Sequence, residues 1–257
     1  MKALFRAAFF AVLLATHASA DPIDATPAFD TAVTAACAST DNRTLKYPAG
    51  TFTFLTPPQP IPCALRLAGE GIGATTFVRG YSNGGFLQWT RGTDHSGGTL
   101  RDMAVLAGAG TTGGIAILIT ATADMSGLVN SYNRHSFLIE NIQVGRVSDL
   151  NTSWSFGLYL DGAANPDHNP NSPAAGIRGT YVDKSTFGGA TTASIFLNKA
   201  RGPEIRAECY TPIGNGFAGV MMANGTESVL LQTRNCNWSV DASSKGMMLN
   251  GLRVGPQ

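Results

Sequence analysis

The sequence predicts an all-β fold, a right-handed parallel β-helix solenoid with an N-terminal capping helix, on three observations. Short aliphatic segments punctuated by Gly, Asn and Pro fill most of the chain, among them CALRLAGEG, TLRDMAVLAG, GIAILIT, FGLYLDG and EIRAECY. This is the pattern of strands joined by tight corners. The segments SIFLN, GVMMAN and GMMLN end in Asn198, Asn224 and Asn250, at two equal successive intervals. Cys37 to Cys63 and Cys209 to Cys236 repeat nearly the same spacing. A fixed period of roughly 26 residues implies stacked coils, because one coil cannot bury its own apolar face and must rest on its neighbour.

In chain order, residues 1–20 read as a signal peptide. Lys2 and Arg6 flank the start of an apolar run too short to span a bilayer, and Ala18-Ser19-Ala20 forms a small-x-small cleavage site. Residues 21–257 are then one domain, secreted or periplasmic. In that oxidising setting the four cysteines pair one coil apart, where stacked residues sit about 4.8 Å from one another. A metal site is disfavoured, since no C-x-x-C or clustered His accompanies them. Thr26 as N-cap and Pro27 at the first helical position start a helix over about 26–38, with Phe29, Val33 and Cys37 on its apolar face. Strands follow to the end. TLRDMAVL and FLIENIQV match when Leu100 is set against Leu138, and Asp161 occupies the corner equivalent to Asn198, more than one period upstream of it. The surplus fits an insertion in the Pro- and Asn-rich loop 165–176. The Asn series reads as a structural ladder, because Asn tolerates left-handed backbone and bonds nearby amides; an Asn-lined ligand face is its rival. GMMLNGLRVGPQ carries no capping pattern, so its open strand edge calls for a covering subunit, as in a homo-oligomer, or marks a shortened relative.

The run AFDTAVTAACAS, then Pro48-Ala49-Gly50-Thr51-Phe52, then Gly69-Glu70-Gly71 leading to Thr75-Thr76 resembles the opening of the pectate-lyase-like superfamily, which includes pectin-active enzymes and phage tailspikes. The resemblance implies the β-helix and work on extracellular polysaccharide. The Asp-Phe-Gly-Ala start of that superfamily is absent, as is the polygalacturonase set N-x-D, D-D, G-H-G and R-x-K. Arg201-Gly202-Pro203-Glu204-Ile205-Arg206 is similar to a pectate lyase motif, R-x-P-x-x-R, whose first Arg serves as the base. That similarity implies Arg201 as base, with Arg206 and Lys199 stabilising the enolate-like charge. Calcium would enter only for a pectate-type lyase; no other cofactor is expected.

Strand alternation in EIRAECY places Ile205, Ala207 and Cys209 inward and Glu204, Arg206, Glu208 and Tyr210 outward. Glu204 and Glu208 are about 13 Å apart by strand rise, beyond the roughly 5–9.5 Å of glycosidase pairs. A hydrolase would need carboxylates from neighbouring coils, with Asp161 or Asp183 as partners. His135, Tyr181, Asp183 and Lys184 are further substrate-binding or proton-transfer candidates. Trp89, Trp154 and Trp238 fit either sugar stacking or core packing. A net charge of +1 with 14% charged residues excludes nucleic acid and anionic membranes as charge-held partners. The expectation is an extracellular polysaccharide-active protein, a lyase on an acidic glycan ahead of a hydrolase; the alternative is a noncatalytic carbohydrate-binding, adhesive or structural envelope module.

Overall fold

The computed structural model describes residues 23–39, 43–91, 97–121, 137–147, 151–162, 177–210, 218–226, 228–240, 244 and 248–250. Helix α1 (Thr26–Ala38) leads into β1 (Thr44–Lys46), β2 (Gly50–Phe54), β3 (Arg66–Ala68), β4 (Thr75–Arg79), β5 (Gly85–Arg91), β6 (Thr99–Ala107), β7 (Ile115–Ala121), β8 (Phe137–Arg146) and β9 (Trp154–Asp161). Then come β10 (Ile177–Arg178), β11 (Thr180–Phe187), β12 (Ala190–Asn198), β13 (Ala200–Arg201), β14 (Glu204–Cys209), β15 (Ala218–Ala223), β16 (Leu230–Arg234), β17 (Trp238–Val240) and β18 (Met248–Asn250).

From β5 onward the chain alternates between two parallel sheets, with β10 and β13 pairing as a small third one. One is ten-stranded, running β1-β3-β6-β8-β11-β14-β16-β18 with β2 and β4 joined at β6; the other is six-stranded, running β5-β7-β9-β12-β15-β17. Parallel neighbours require a long crossover, and here each crossover is largely a strand of the other sheet. The chain is therefore all-β with long parallel sheets, an architecture compatible with the expected parallel β-helix. Register stacks like on like. Leu100, Ile139, Val182, Ile205 and Leu231 form one column, Leu87, Ile117, Leu158, Ile195 and Val220 another. All ten are fully buried in one core, and each stabilises the fold by about 1.5–3 kcal/mol relative to exposure.

This register corrects the expected match between TLRDMAVL and FLIENIQV. Leu100 pairs with Ile139 and Arg101 with Glu140, one position further along, because a slip by one would set the outward Arg101 opposite the buried Ile139. Asn250 also departs from expectation. It pairs with Gln232 in the ten-stranded sheet, whereas Asn198 lies in the six-stranded sheet and Asn224 directly follows a strand of it. Glu204 pairs with Leu230 one full period on, but Leu230 pairs with Met248 after a much shorter stretch of chain, and Val220 with Trp238 likewise. The last circuit is shorter, so a constant period carries GMMLN into the wrong sheet.

The helix forms over the expected span with a different cap. Thr26 is its first residue and Ala25 its N-cap, which makes no side-chain cap bond. The Asp24 carboxylate, one residue earlier, accepts from the Thr26 amide (2.9 Å) and hydroxyl (2.6 Å), from the Leu55 amide (2.9 Å) and from the Thr56 hydroxyl. Asp24 thereby ties the helix start to the end of β2, while Phe29 packs edge-on against Phe54 and Phe77. Both expected disulfides form, Cys37–Cys63 and Cys209–Cys236, with Cα separations of 5.6 and 5.0 Å. Gly69 of the Gly-x-Gly motif has a steric reason: a Cβ there would stand 2.3 Å from the Asp102 carbonyl oxygen. No helix among the described residues is long and apolar enough to cross a membrane.

Arg79, at the end of β4, is fully buried. Its guanidinium donates to the carbonyls of Gly113 (2.6 Å) and Ser153 (3.1 Å) and to the Thr111 hydroxyl (3.4 Å), and lies 4.0 Å from the centre of the Trp154 ring. It thus links β4 to the turns before β7 and β9. Burial, partly offset by Tyr81, pushes its pKa down to about 10, which leaves it charged at neutral pH. Carbonyl dipoles and a ring face balance that charge.

Replacing Arg79 with Ala strands two carbonyls and opens a void, and should cost about 3–5 kcal/mol in urea unfolding. Arg79→Lys should recover less than half of it, because an ammonium cannot span both carbonyls and the ring. Asp24 gives a pH-dependent counterpart. Burial raises its pKa, but the bonds from Thr26, Leu55 and Thr56 prevail and hold it below the usual carboxylate value. Its contribution is therefore full above about pH 4 and fades as pH falls through the folded-state value. Asp24→Ala should cost about 1 kcal/mol at pH 7, and its stability should converge on that of wild type as pH falls through the folded-state value.

Candidate functional site

The outer face of the ten-stranded sheet gathers charge at a repeated irregularity. Asp102, Asn141 and Lys184 have left-handed backbones, with φ of 58°, 52° and 48°, and occupy matching positions on β6, β8 and β11. Such a residue kinks the strand so that two consecutive side chains leave on the same side. Arg101 and Asp102, Glu140 and Asn141, and Asp183 and Lys184 are at least partly accessible, while the residues that follow, Met103, Ile142 and Ser185, are buried. Asp and Asn suit this conformation; Lys does so less readily. The Asn141 amide donates to the Asp102 carboxylate at 2.8 Å, extending the column. It stops at β14, where register shifts between Val182 and Ser185 and the single Arg206 faces the Asp183-Lys184 pair.

Glu140 and Asp183 are in register on neighbouring strands, which places their backbones about 4.8 Å apart. The Lys184 ammonium lies 3.9 Å from a Glu140 oxygen and 4.0 Å from an Asp183 oxygen. Arg206 donates to Glu204 at 2.6 Å, and its guanidinium carbon is 5.6 Å from the centre of the Tyr181 ring. Tyr181 itself is in register with Glu204. The carboxylates are partly shielded, at 20% exposure for Asp183, 23% for Glu204 and 34% for Glu140, beneath a Lys184 that is 71% exposed. Burial and the nearby Asp183 raise the Tyr181 pKa, Arg206 opposes this, and Glu204 and Glu140 add to it. The phenol stays protonated through neutral pH and can donate.

Of the residues singled out from sequence, Tyr181, Asp183, Lys184, Glu204 and Arg206 come together here. Glu208, outward on the same strand as Arg206, accepts from Asn235 at 2.9 Å instead. Tyr210 lies just past β14, 56% exposed. Lys199 sits at a left-handed corner after β12, and Arg201 on β13 in the two-stranded sheet with β10. The two arginines of R-x-P-x-x-R thus belong to different sheets, with the Gly202 turn (φ 60°) between them. Asp161 lies at the end of β9 in the six-stranded sheet, where it accepts from the Asn198 amide at 2.9 Å; Asn224 donates to Asn198 at 2.7 Å. His135 and the Asp167-His168 pair lie outside the described residues.

Glu140 is the member that sequence reasoning missed. The signal was the likeness of Arg101-Asp102 to Glu140-Asn141, which needed the true register to align. Two of the three tryptophans cannot stack on sugars: Trp89 and Trp154 are in the core, and the Trp154 indole donates to the Gly145 carbonyl at 2.7 Å. Outward aromatic surface comes instead from Phe156, Tyr159 and Phe196. Among the described residues no three His, Cys, Asp or Glu side chains converge as a metal site, and the Lys184 ammonium bridges Glu140 and Asp183 where a cation would bind. No family model matches the chain, and no curated protein or solved structure matches it either.

The geometry around Tyr181 makes one electrostatic prediction. Glu204→Gln removes a nearby negative charge and releases Arg206 from its partner, and both effects favour the phenolate. The Tyr181 pKa should fall toward the ordinary tyrosine value, measured as the ultraviolet titration step that Tyr181→Phe abolishes.

Proposed function

We propose that the chain is an exported, right-handed parallel β-helix protein, related in architecture to the pectate-lyase-like superfamily, that cleaves extracellular polysaccharide on the outer face of its ten-stranded sheet. Its long parallel sheets and two one-circuit disulfides support the scaffold. The single observation carrying the activity is the in-register pair Glu140 and Asp183. Both contact the same ammonium, so their oxygens lie no more than about 8 Å from each other, close enough for two carboxyl groups to flank one glycosidic bond as glycoside hydrolysis requires. One carboxyl group protonates the leaving glycosidic oxygen as the C–O bond breaks, and the other supports attack at the anomeric carbon, directly or through water. Tyr181 donates to a neighbouring hydroxyl and Arg206 orients Glu204.

Hydrolysis fits better than the elimination expected from R-x-P-x-x-R, because Arg206 is paired with Glu204 and Arg201 lies in another sheet. The second reading is a noncatalytic carbohydrate-binding module. It is favoured by the ion-paired state of the cations on this face, Arg101 with Asp102, Lys184 with Glu140 and Asp183, and Arg206 with Glu204.

The deciding experiment incubates the full chain with pectate, alginate, bacterial capsular polysaccharide and neutral glucans, following reducing ends and unsaturated-uronate absorbance in parallel. The expected result is reducing ends without new absorbance, with kcat reduced at least about 100-fold by Glu140→Gln or Asp183→Asn. New absorbance would overturn hydrolysis in favour of a lyase. Binding without either product would support the module.

A further inference from the structure

We infer that the N-terminal end of the ten-stranded sheet's outer face holds an anion-binding subsite, formed by Lys46 and Arg66, which takes an acidic sugar at a distance from a neutral linkage lying over Glu140 and Asp183. The glycan this implies is mixed, with acidic and neutral sugars in one chain. The inference rests on the polysaccharide reading above, but the subsite is tested by binding and that reading by cleavage.

Three observations carry it. First, the outward residues of this sheet form two continuous rows that change sign along the stack. One runs Lys46, Ala68, Arg101, Glu140 and Asp183 over β1, β3, β6, β8 and β11; the other passes from Arg66 on β3 through Thr99, Leu138 and Tyr181 to Glu204 on β14. Leu67 and Leu100, between the two rows, point inward and are fully buried. Each row holds its cations toward the N-terminal strands and ends in a carboxylate.

Second, the cations within the carboxylate half are already committed. Lys184 is held by Glu140 and Asp183, Arg206 by Glu204, and Arg101, at the boundary, by Asp102. Lys46 and Arg66 are exposed, and among the described residues no carboxylate pairs with either. They are the cations of the two rows that an incoming anion can engage without breaking an ion pair.

Third, their placement suits one anion on a chain that also reaches the carboxylates. Lys46 and Arg66 are diagonal neighbours on adjacent strands, about 8 Å apart at the backbone. The outward residue beside both is Ala68, in register with Lys46 and on the same strand as Arg66, and it presents only a methyl group. Like charges this close on a sheet repel, and a carboxylate or sulfate bridging them relieves that repulsion. From β3 to the midpoint between Glu140 and Asp183 is about 12 Å along the rows, so a glycan lying along them spans both places. An acidic sugar directly over the pair would face two carboxylates, which is why the acidic and the cleaved units must be separate.

The test is affinity electrophoresis of the full chain through gels holding hyaluronan, in which carboxylated and neutral sugars alternate, a partly sulfated galactan, polygalacturonate or galactomannan. Retardation is expected in hyaluronan or the sulfated galactan, the two distinguishing a carboxylate from a sulfate, and it should be weaker in polygalacturonate and absent in galactomannan. Charge attraction alone would favour polygalacturonate over hyaluronan, since every ring of it is charged. Lys46→Gln with Arg66→Gln should weaken retardation about tenfold or more, as loss of two charge-assisted contacts would, with wild-type circular dichroism because both side chains are exposed. Arg234→Gln, which removes an exposed arginine on β16, should bind as wild type. Absence of retardation in both mixed gels, retardation by polygalacturonate at least as strong as theirs, or unchanged retardation in the double variant would overturn the inference. So would an equal loss in Arg234→Gln, since the attraction would then belong to no one place. Release of reducing ends with a KM that the double substitution leaves unchanged would remove the subsite and leave hydrolysis standing. Retardation that depends on Lys46 and Arg66 without release of reducing ends would sink hydrolysis and leave the subsite.

Discussion

Each strand satisfies its backbone groups by pairing in parallel with a strand one circuit away, and the rest of the structure depends on that constraint. Parallel pairing is residue-to-residue, so a side chain on one circuit has a defined neighbour on the next. Apolar residues then stack into continuous buried columns, cysteines a circuit apart fall at bonding distance, and Asp161, Asn198 and Asn224 join into a ladder. A strand absorbs a single extra residue only as a local bulge, as β11 and β12 do, so longer variation lies between strands. The long circuits between β6 and β11 keep their surplus between β7 and β8 and between β9 and β10.

The same constraint makes the charged face unusual. A regular strand sends every second residue outward, and the left-handed residues at 102, 141 and 184 break that rule on three strands in succession. The result is a denser band of outward groups, bounded by the register shift at β14. Repeated local strain of this kind is seldom retained for stability alone. The buried Arg79 expresses the opposite priority. It holds a charge where no reactant reaches, and uses it to fix the turns that deliver β7 and β9.

How far the sequence could be read follows from these mechanisms. Helix α1, the cysteine pairs, the inward and outward faces of β14 and the correspondence of Asp161 with Asn198 were legible, because each depends on local pattern or on a nearly constant spacing. What failed depended on knowing which circuit changes length. Asn250 was placed in the wrong sheet because the last circuit is short, and Glu140 was overlooked because the alignment of its strand with β6 was off by one position. The helix cap was misjudged because the Asp24 carboxylate serves β2 and the helix together. Trp89 and Trp154 carry no sequence mark distinguishing a core ring from an exposed one, and the outward Phe156, Tyr159 and Phe196 sit in segments that read as uniformly apolar.

The shortening of the last circuit also bears on how the interior is held together. Strand register is kept from the Glu204-to-Leu230 circuit to the Leu230-to-Met248 circuit although the second uses fewer residues. Cys209 and Cys236 lie where this change of length begins, and both are buried. A covalent link contributing about 2–4 kcal/mol therefore fixes β14 against the segment after β16 at the point where a constant spacing no longer carries the register.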